Sequence, residues 1–280
     1  MAVVMGMAWT VAVGQQPARP VPELDPAPAP PRNIPGPLGR PMTDAGGPPG
    51  KRPPPPTRGP KYFSATLTNL SEQTVVRAVG EGVFEVGKVR LNKKEGTVSF
   101  PAVVNMEQGL LEFLIVTGYG RTHESVLRTE AEPFHIHLAM LLMDAKGDTN
   151  GVAVAGREGG GGGPTEKPAE KALEGDPIDL EVSWEGEGGR VRRRGEELVF
   201  NRGSGKAMPE GEWTYSGSVV HRGVFRAQLD GTVASIIHER TALINNPRPG
   251  GENDEIWSVN TNTVPRMETP VEVILRLRKR

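Results

Sequence analysis

The sequence predicts an α+β, β-rich domain: a mostly antiparallel sheet with at least one amphipathic helix, behind a disordered, Pro-rich N-terminal leader. Three observations predict it. Residues 177–184 alternate strictly between apolar and polar side chains, the mark of a strand with one buried face, and they resemble residues 270–277 closely enough to pair with them or lie beside them. Residues 88–91 and 97–100 alternate likewise around Asn92-Lys93-Lys94-Glu95-Gly96, the chemistry of a hairpin with Gly near its turn. Pro133, after Glu130 and Glu132 and before Phe134, Leu138, Leu141 and Leu142, reads as the first turn of an amphipathic helix that Gly147 ends.

Taken along the chain, residues 1–14 have the outline of a signal peptide: a short apolar stretch closing on Ala12, Val13 and Gly14 before Gln15 and Gln16. No Lys or Arg precedes that stretch, so either the positive region lies upstream or the segment is not a signal. It is shorter than the roughly 18 apolar residues that a membrane span needs. Residues 15–60 are dominated by Pro, including Pro53 to Pro56, and lack periodic apolar positions, which makes them a disordered linker with polyproline II character or a ligand for a proline-binding domain. Export to the periplasm or cell envelope is the expectation.

The domain is then placed at 61–280, with its core at about 87–277. Residues 61–89 read as irregular structure leading into a strand, and Pro101 should limit how far the second strand of the first hairpin pairs. Residues 112–117 and 122–129, around Gly118-Tyr119-Gly120, read as a second hairpin, with 105–111 a turn or single helical turn. Residues 156–175 are Gly-rich and charged, a disordered insertion on the domain surface. Further strands are expected within 198–201, 211–220 and 224–237.

A formal net charge of −1 makes no electrostatic case for nucleic acid or an anionic membrane and indicates no partner; with export expected, the partner is an unknown envelope protein or polysaccharide. The chain has no Cys, which excludes disulfides, thiol nucleophiles, thiolate zinc sites and Cys-ligated iron–sulfur clusters.

Several segments, in order, resemble one family: Val98-Ser99-Phe100-Pro101-Ala102-Val103-Val104-Asn105-Met106, Gly109 to Thr117, Thr122 to Leu127, Pro133-Phe134-His135-Ile136-His137-Leu138-Ala139, and Ala242-Leu243-Ile244-Asn245-Asn246-Pro247. Together they look like the YdjY-like domain family of bacterial envelope-type proteins. The resemblance implies no biochemical activity, because the family has none assigned. Some relatives append an iron–sulfur segment, a role that a chain without Cys does not inherit.

Thr122-His123-Glu124-Ser125 brings a base, a carboxylate and a hydroxyl together. A hydrolase would use Ser125 as nucleophile and His123 as its base, with Glu124 and His137 in support, either as a serine or as a metal-assisted enzyme. Against this, residues i and i+2 of a strand stand about 7 Å apart at the backbone, and no Gly-x-Ser-x-Gly elbow presents the serine. A cluster that only hydrogen-bonds the hairpin to the helix is the structural alternative. The cofactor is left unknown; for a metal ion the candidates are His123, His135 and His137, of which His135 and His137 share a face on a strand but stand about 200° apart on a helix, where one of them would join His123 or Glu124.

Asn245, Asn246 and residues 252–255 offer oxygen ligands without the spacing of an EF-hand. Arg190 to Arg194 and Arg276 to Arg280 suit an anionic polymer or a solvated strand edge. Trp184, Trp213, Trp257 and Tyr215 suit a carbohydrate face or a core, and Trp213 with Tyr215 form the aromatic pair on one side of a strand. With no complete catalytic constellation, the expected function is a non-enzymatic, exported binding or assembly module, with a hydrolase and a purely structural domain as the alternatives.

Overall fold

The computed structural model describes residues 66–148 and 173–278. The signal-like segment 1–14, the linker 15–60 and residues 156–172 of the insertion lie outside them. In chain order the strands are β1 (Val76–Gly80), β2 (Val83–Val86), β3 (Val89–Asn92), β4 (Thr97–Val104), β5 (Phe113–Thr117), β6 (Ser125–Thr129), β7 (Asp176–Gly186) and β8 (Gly189–Arg194). Then come β9 (Val199–Asn201), β10 (Lys206–Ala207), β11 (Trp213–Tyr215), β12 (Val220–His221), β13 (Val224–Phe225), β14 (Thr232–Ser235), β15 (Ile244–Asn245), β16 (Trp257–Val259) and β17 (Pro270–Leu277). The helices are α1 (Leu67–Gln73), α2 (Pro133–Leu142) and α3 (Arg226–Asp230).

Eight strands close on themselves. β4, β17, β7, β11, β15, β14, β5 and β6 pair in that order, and β6 returns to β4 through Ala102↔Thr129 and Val104↔Leu127. This corrects the α+β expectation: the domain is a closed eight-stranded β-barrel with few helices, none of them long enough to form a layer. It also corrects the mostly antiparallel expectation in part, because β5–β6 and β14–β15 are parallel. Residues 118–120, read as a hairpin turn, and 122–124, read as the start of its second strand, instead carry the chain back so that β6 runs beside β5 in the same direction, Phe113 facing Ser125 and Thr117 facing Thr129. Within 224–237 the chain coils into α3, which ends on Gly231 at φ 69 before β14 begins. Closure pairs both flanks of each ring strand, so the barrel needs no covering helix at an edge.

The 88–100 hairpin forms as β3 and β4, with Arg90↔Ser99, Leu91↔Val98 and Asn92↔Thr97. Pro101 sits where β4 changes partner. One flank of β4 is held by β3 up to Ser99 and by β6 from Ala102, and Phe100 and Pro101 pair only with β17 on the other flank. A residue without an N–H therefore falls where that flank has no ladder bond to lose. β3, β2 and β1 continue outward from the ring as an antiparallel flap.

One sheet face carries the core. Val98, Phe100 and Ala102 of β4, Val271, Val273 and Leu275 of β17, and Ile178, Leu180 and Val182 of β7 are all buried, each worth roughly 1.5–3 kcal/mol for a large side chain. Helix α2 lies against β2, β3 and β4 and buries Ile136, Ala139 and Met140. It starts on Pro133 as the sequence implies, but it ends at Leu142, with Asp144 at φ 63, ahead of Gly147.

A buried ionic clip fastens the turn after β8. Glu196, 1% exposed, accepts hydrogen bonds from Arg194 Nε at 2.6 Å, Gly211 N at 3.1 Å and Trp213 Nε1 at 3.1 Å. The Arg248 guanidinium lies 3.6 Å from the same carboxylate and 5.4 Å from the Trp213 ring centroid. Three donors and a second cation make a buried carboxylate tolerable.

Candidate functional site

The solvated sheet face is where chemistry gathers. Alternation on β4, β17 and β7 turns Ser99, Ile274 and Glu181 to the side opposite the core, and ladder pairing sets Arg90 of β3 beside Ser99. β8 then adds Arg192 beside Ser183 and Arg190 beside Glu185. Arg90, Arg190, Arg192 and Arg276, from three strands, thus line a single cleft of about 370 Å³ with Asn92, Thr97, Ser99, Glu95 and Glu272. The side chains of Arg90, Arg190 and Arg192 keep 57%, 53% and 54% of their surface exposed, so their donors remain open to a ligand.

Four guanidinium groups face two carboxylates across this lining. Arg190 pairs with Glu272 and donates to Ser183 Oγ at 2.9 Å. Arg192 stands 3.4 Å from Glu181, Arg90 is 3.9 Å from Glu85, and Arg276 donates to the backbone carbonyl of Glu95 at 2.7 Å. Surface pairs of this kind hold their members weakly, by about 0–1 kcal/mol, and yield to a competing anion. A second cleft of about 380 Å³ shares Arg90, Ser99, Arg190 and Glu272 with the first and continues it over Pro101, Pro270 and Trp184.

The residues singled out for catalysis are placed differently. Thr122–Glu124 form a 3₁₀ turn instead of a strand. His123, 72% exposed, rests 3.3 Å from Glu124. Ser125 is fully buried and donates its hydroxyl to Leu127 O at 2.9 Å, while Asn105 Nδ2 caps its carbonyl at 2.8 Å. Glu124 stands close to Glu112, whose carboxyl is raised above the usual range, first by burial and also by Glu124 and Asp254, against the lowering pull of Arg121. No hydrogen bond joins His123, Ser125 and His137 among the described residues.

His135 and His137 lie on α2, where the helical spacing separates them. His135 packs beneath Gly87, whereas His137 Nδ1 meets the Tyr215 hydroxyl at 2.7 Å, with the Phe225 ring 4.9 Å away. Burial lowers the His137 pKa to about 4 and raises that of Tyr215, so both are neutral near pH 7. The direction of their hydrogen bond follows the imidazole tautomer.

Trp213 and Tyr215 are entirely buried. Asn245 accepts from Glu239 N and donates to Ser216 Oγ; Asn246 donates to Ile236 O and accepts from Arg248 N. Residues 252–255 form an exposed turn in which Asn253 Oδ1 accepts from Glu255 N. Among the described residues no cluster of His, Asp and Glu is arranged to hold a metal ion, and no helix is long and apolar enough to cross a membrane.

The trough had one legible signal in the sequence, its two arginine runs. What joins them is strand order. The model of one protein family, described as the YdjY domain, matches residues 89–276, from the first residue of β3 almost to the end of β17. No curated protein and no solved structure matches the chain.

Proposed function

We propose that this chain, which belongs to the YdjY domain family, is an exported, non-enzymatic binding module of the cell envelope or extracellular space, and that its binding face is the arginine-lined trough. One observation carries the reading: strands far apart in sequence deliver Arg90, Arg190, Arg192 and Arg276 to one exposed cleft. A merely solvated face scatters its charges, whereas a single open cleft concentrates them where a ligand can touch several at once. The signal-like segment and the Pro-rich linker support export and display of such a face.

The test has two arms. Residues 1–60 fused to a reporter without its own signal should carry it out of the cytoplasm. Full-length protein should co-sediment with isolated bacterial envelopes, and should do so several-fold less after Arg190→Gln with Arg192→Gln. A reporter retained inside, together with sedimentation indifferent to those substitutions, overturns the proposal.

A further inference from the structure

We infer, on the strength of that binding reading, that the trough takes an acidic polysaccharide, a chain of sugars bearing carboxylate groups. Its banks are β3, which carries Arg90, and β8, which carries Arg190 and Arg192, with β4, β17 and β7 as the floor between them. Neighbouring strands lie about 4.8 Å apart, so the banks stand about 19 Å from each other at the backbone. Arginines leaning inward from both sides narrow this to a channel for an extended single chain running along β4 and β17. On β8, Arg190 and Arg192 repeat at about 6.6 Å, which offers successive carboxylates successive bidentate partners.

The rest of the lining selects among anions. Asn92, Thr97 and Ser99 are hydroxyl and amide groups suited to sugar hydroxyls. Trp184 gives the channel no stacking ring: it follows Val182 in the alternation of β7, opposite Val191 of β8, and its indole packs against the core on the other sheet face. Glu95 and Glu272 also line the channel, so its field is weaker than that of four arginines alone, and contacts to hydroxyls share the binding with charge. Nucleic acid readers, by contrast, present strongly basic surfaces and several stacking platforms.

The experiment titrates the full chain with polygalacturonate at low salt, following heat, with dextran and a DNA duplex as comparators. Polygalacturonate should bind; dextran should not. Arg190→Gln with Arg192→Gln, and separately Arg90→Gln with Arg276→Gln, should each weaken binding about tenfold. Trp184→Phe, a change on the other face of β7, should leave the affinity unchanged. Thermal unfolding of each variant establishes that it is folded. Absence of polygalacturonate binding, binding indifferent to both arginine pairs, or DNA bound as tightly as polygalacturonate overturns the inference. If polygalacturonate fails while envelope sedimentation still depends on Arg190 and Arg192, the ligand class falls and the binding module stands. If sedimentation is indifferent as well, both fall.

Discussion

The hydroxyl of Tyr215 on β11 and Nδ1 of His137 on α2 share a hydrogen bond across 2.7 Å, a helix-to-barrel contact beside which Phe225 packs. Because burial holds the His137 pKa down near 4 against 6.5 when unfolded, the unfolded chain takes up the proton first as pH falls. The contribution is whole above pH 6.5 and is lost as pH falls through about 4, for up to about 3 kcal/mol. Urea unfolding at pH 7 and pH 4.5 should show most of that loss, and His137→Phe should flatten this part of the pH dependence. Tyr215→Phe should cost about 1–2 kcal/mol at pH 7 by leaving the imidazole nitrogen without its partner.

Removing the anion from the ionic clip takes the carboxylate from buried Arg248 and leaves Arg194 with Asp179 and the Gly211 carbonyl. Glu196→Ala should therefore destabilise the domain by about 3–5 kcal/mol, as expected when one member of a buried ion cluster is deleted. Glu197→Ala, one residue on and part-exposed, should cost much less. Chemical denaturation of the pair checks it.

Two glycines share a backbone conformation but differ in surroundings. Gly96 has φ 68 and open space around it; Gly231 has φ 69, and a Cβ there would collide with Thr117 Oγ1 and come within 2.9 Å of Gly120 Cα. Gly96→Ala should cost about 1 kcal/mol, the left-handed penalty alone. Gly231→Ala should cost at least about twice that, and the difference in melting temperature measures the clash.

The His-Glu-Ser segment divides by burial. Ser125→Ala loses a buried bond to Leu127 O and should lower stability by about 1 kcal/mol. His123→Ala, at an exposed position, should stay within about 0.5 kcal/mol of the parent. A larger effect of His123→Ala than of Ser125→Ala on unfolding would contradict this placement.

What the sequence disclosed follows from where alternation is physically imposed. β7 and β17 have one buried and one solvated face along most of their length, so their pattern was legible and so was their kinship; they pair as neighbours. β5 and β14 are buried at every position, which erases alternation, and nothing local distinguishes the parallel joins they make. Ring closure between β4 and β6 is a non-local fact that no window of sequence contains. For the site, Arg190, Arg192 and Arg276 stood out as charge runs, but Arg90 did not, because an isolated arginine on a strand carries no signal until its neighbours are known. Trp213 drew attention by its aromatic partner and proves to be core, and Trp184, on the same face of β7 as Val182, packs against that core.

β17 lies between β4 and β7, hydrogen-bonded to both, although it is synthesised after both. Until residues 270–277 emerge, the two strands it joins have nothing between them, and the ring has a gap one strand wide. The pairing between β4 and β17 spans most of the domain's length in sequence, the kind of late, distant contact that slows folding. Folding to completion therefore waits for the last segment, and the chain stays threadable through a narrow passage for as long as that segment is held back. Cutting the chain before Pro270 should leave an open, adhesive sheet in place of a smaller version of the same domain.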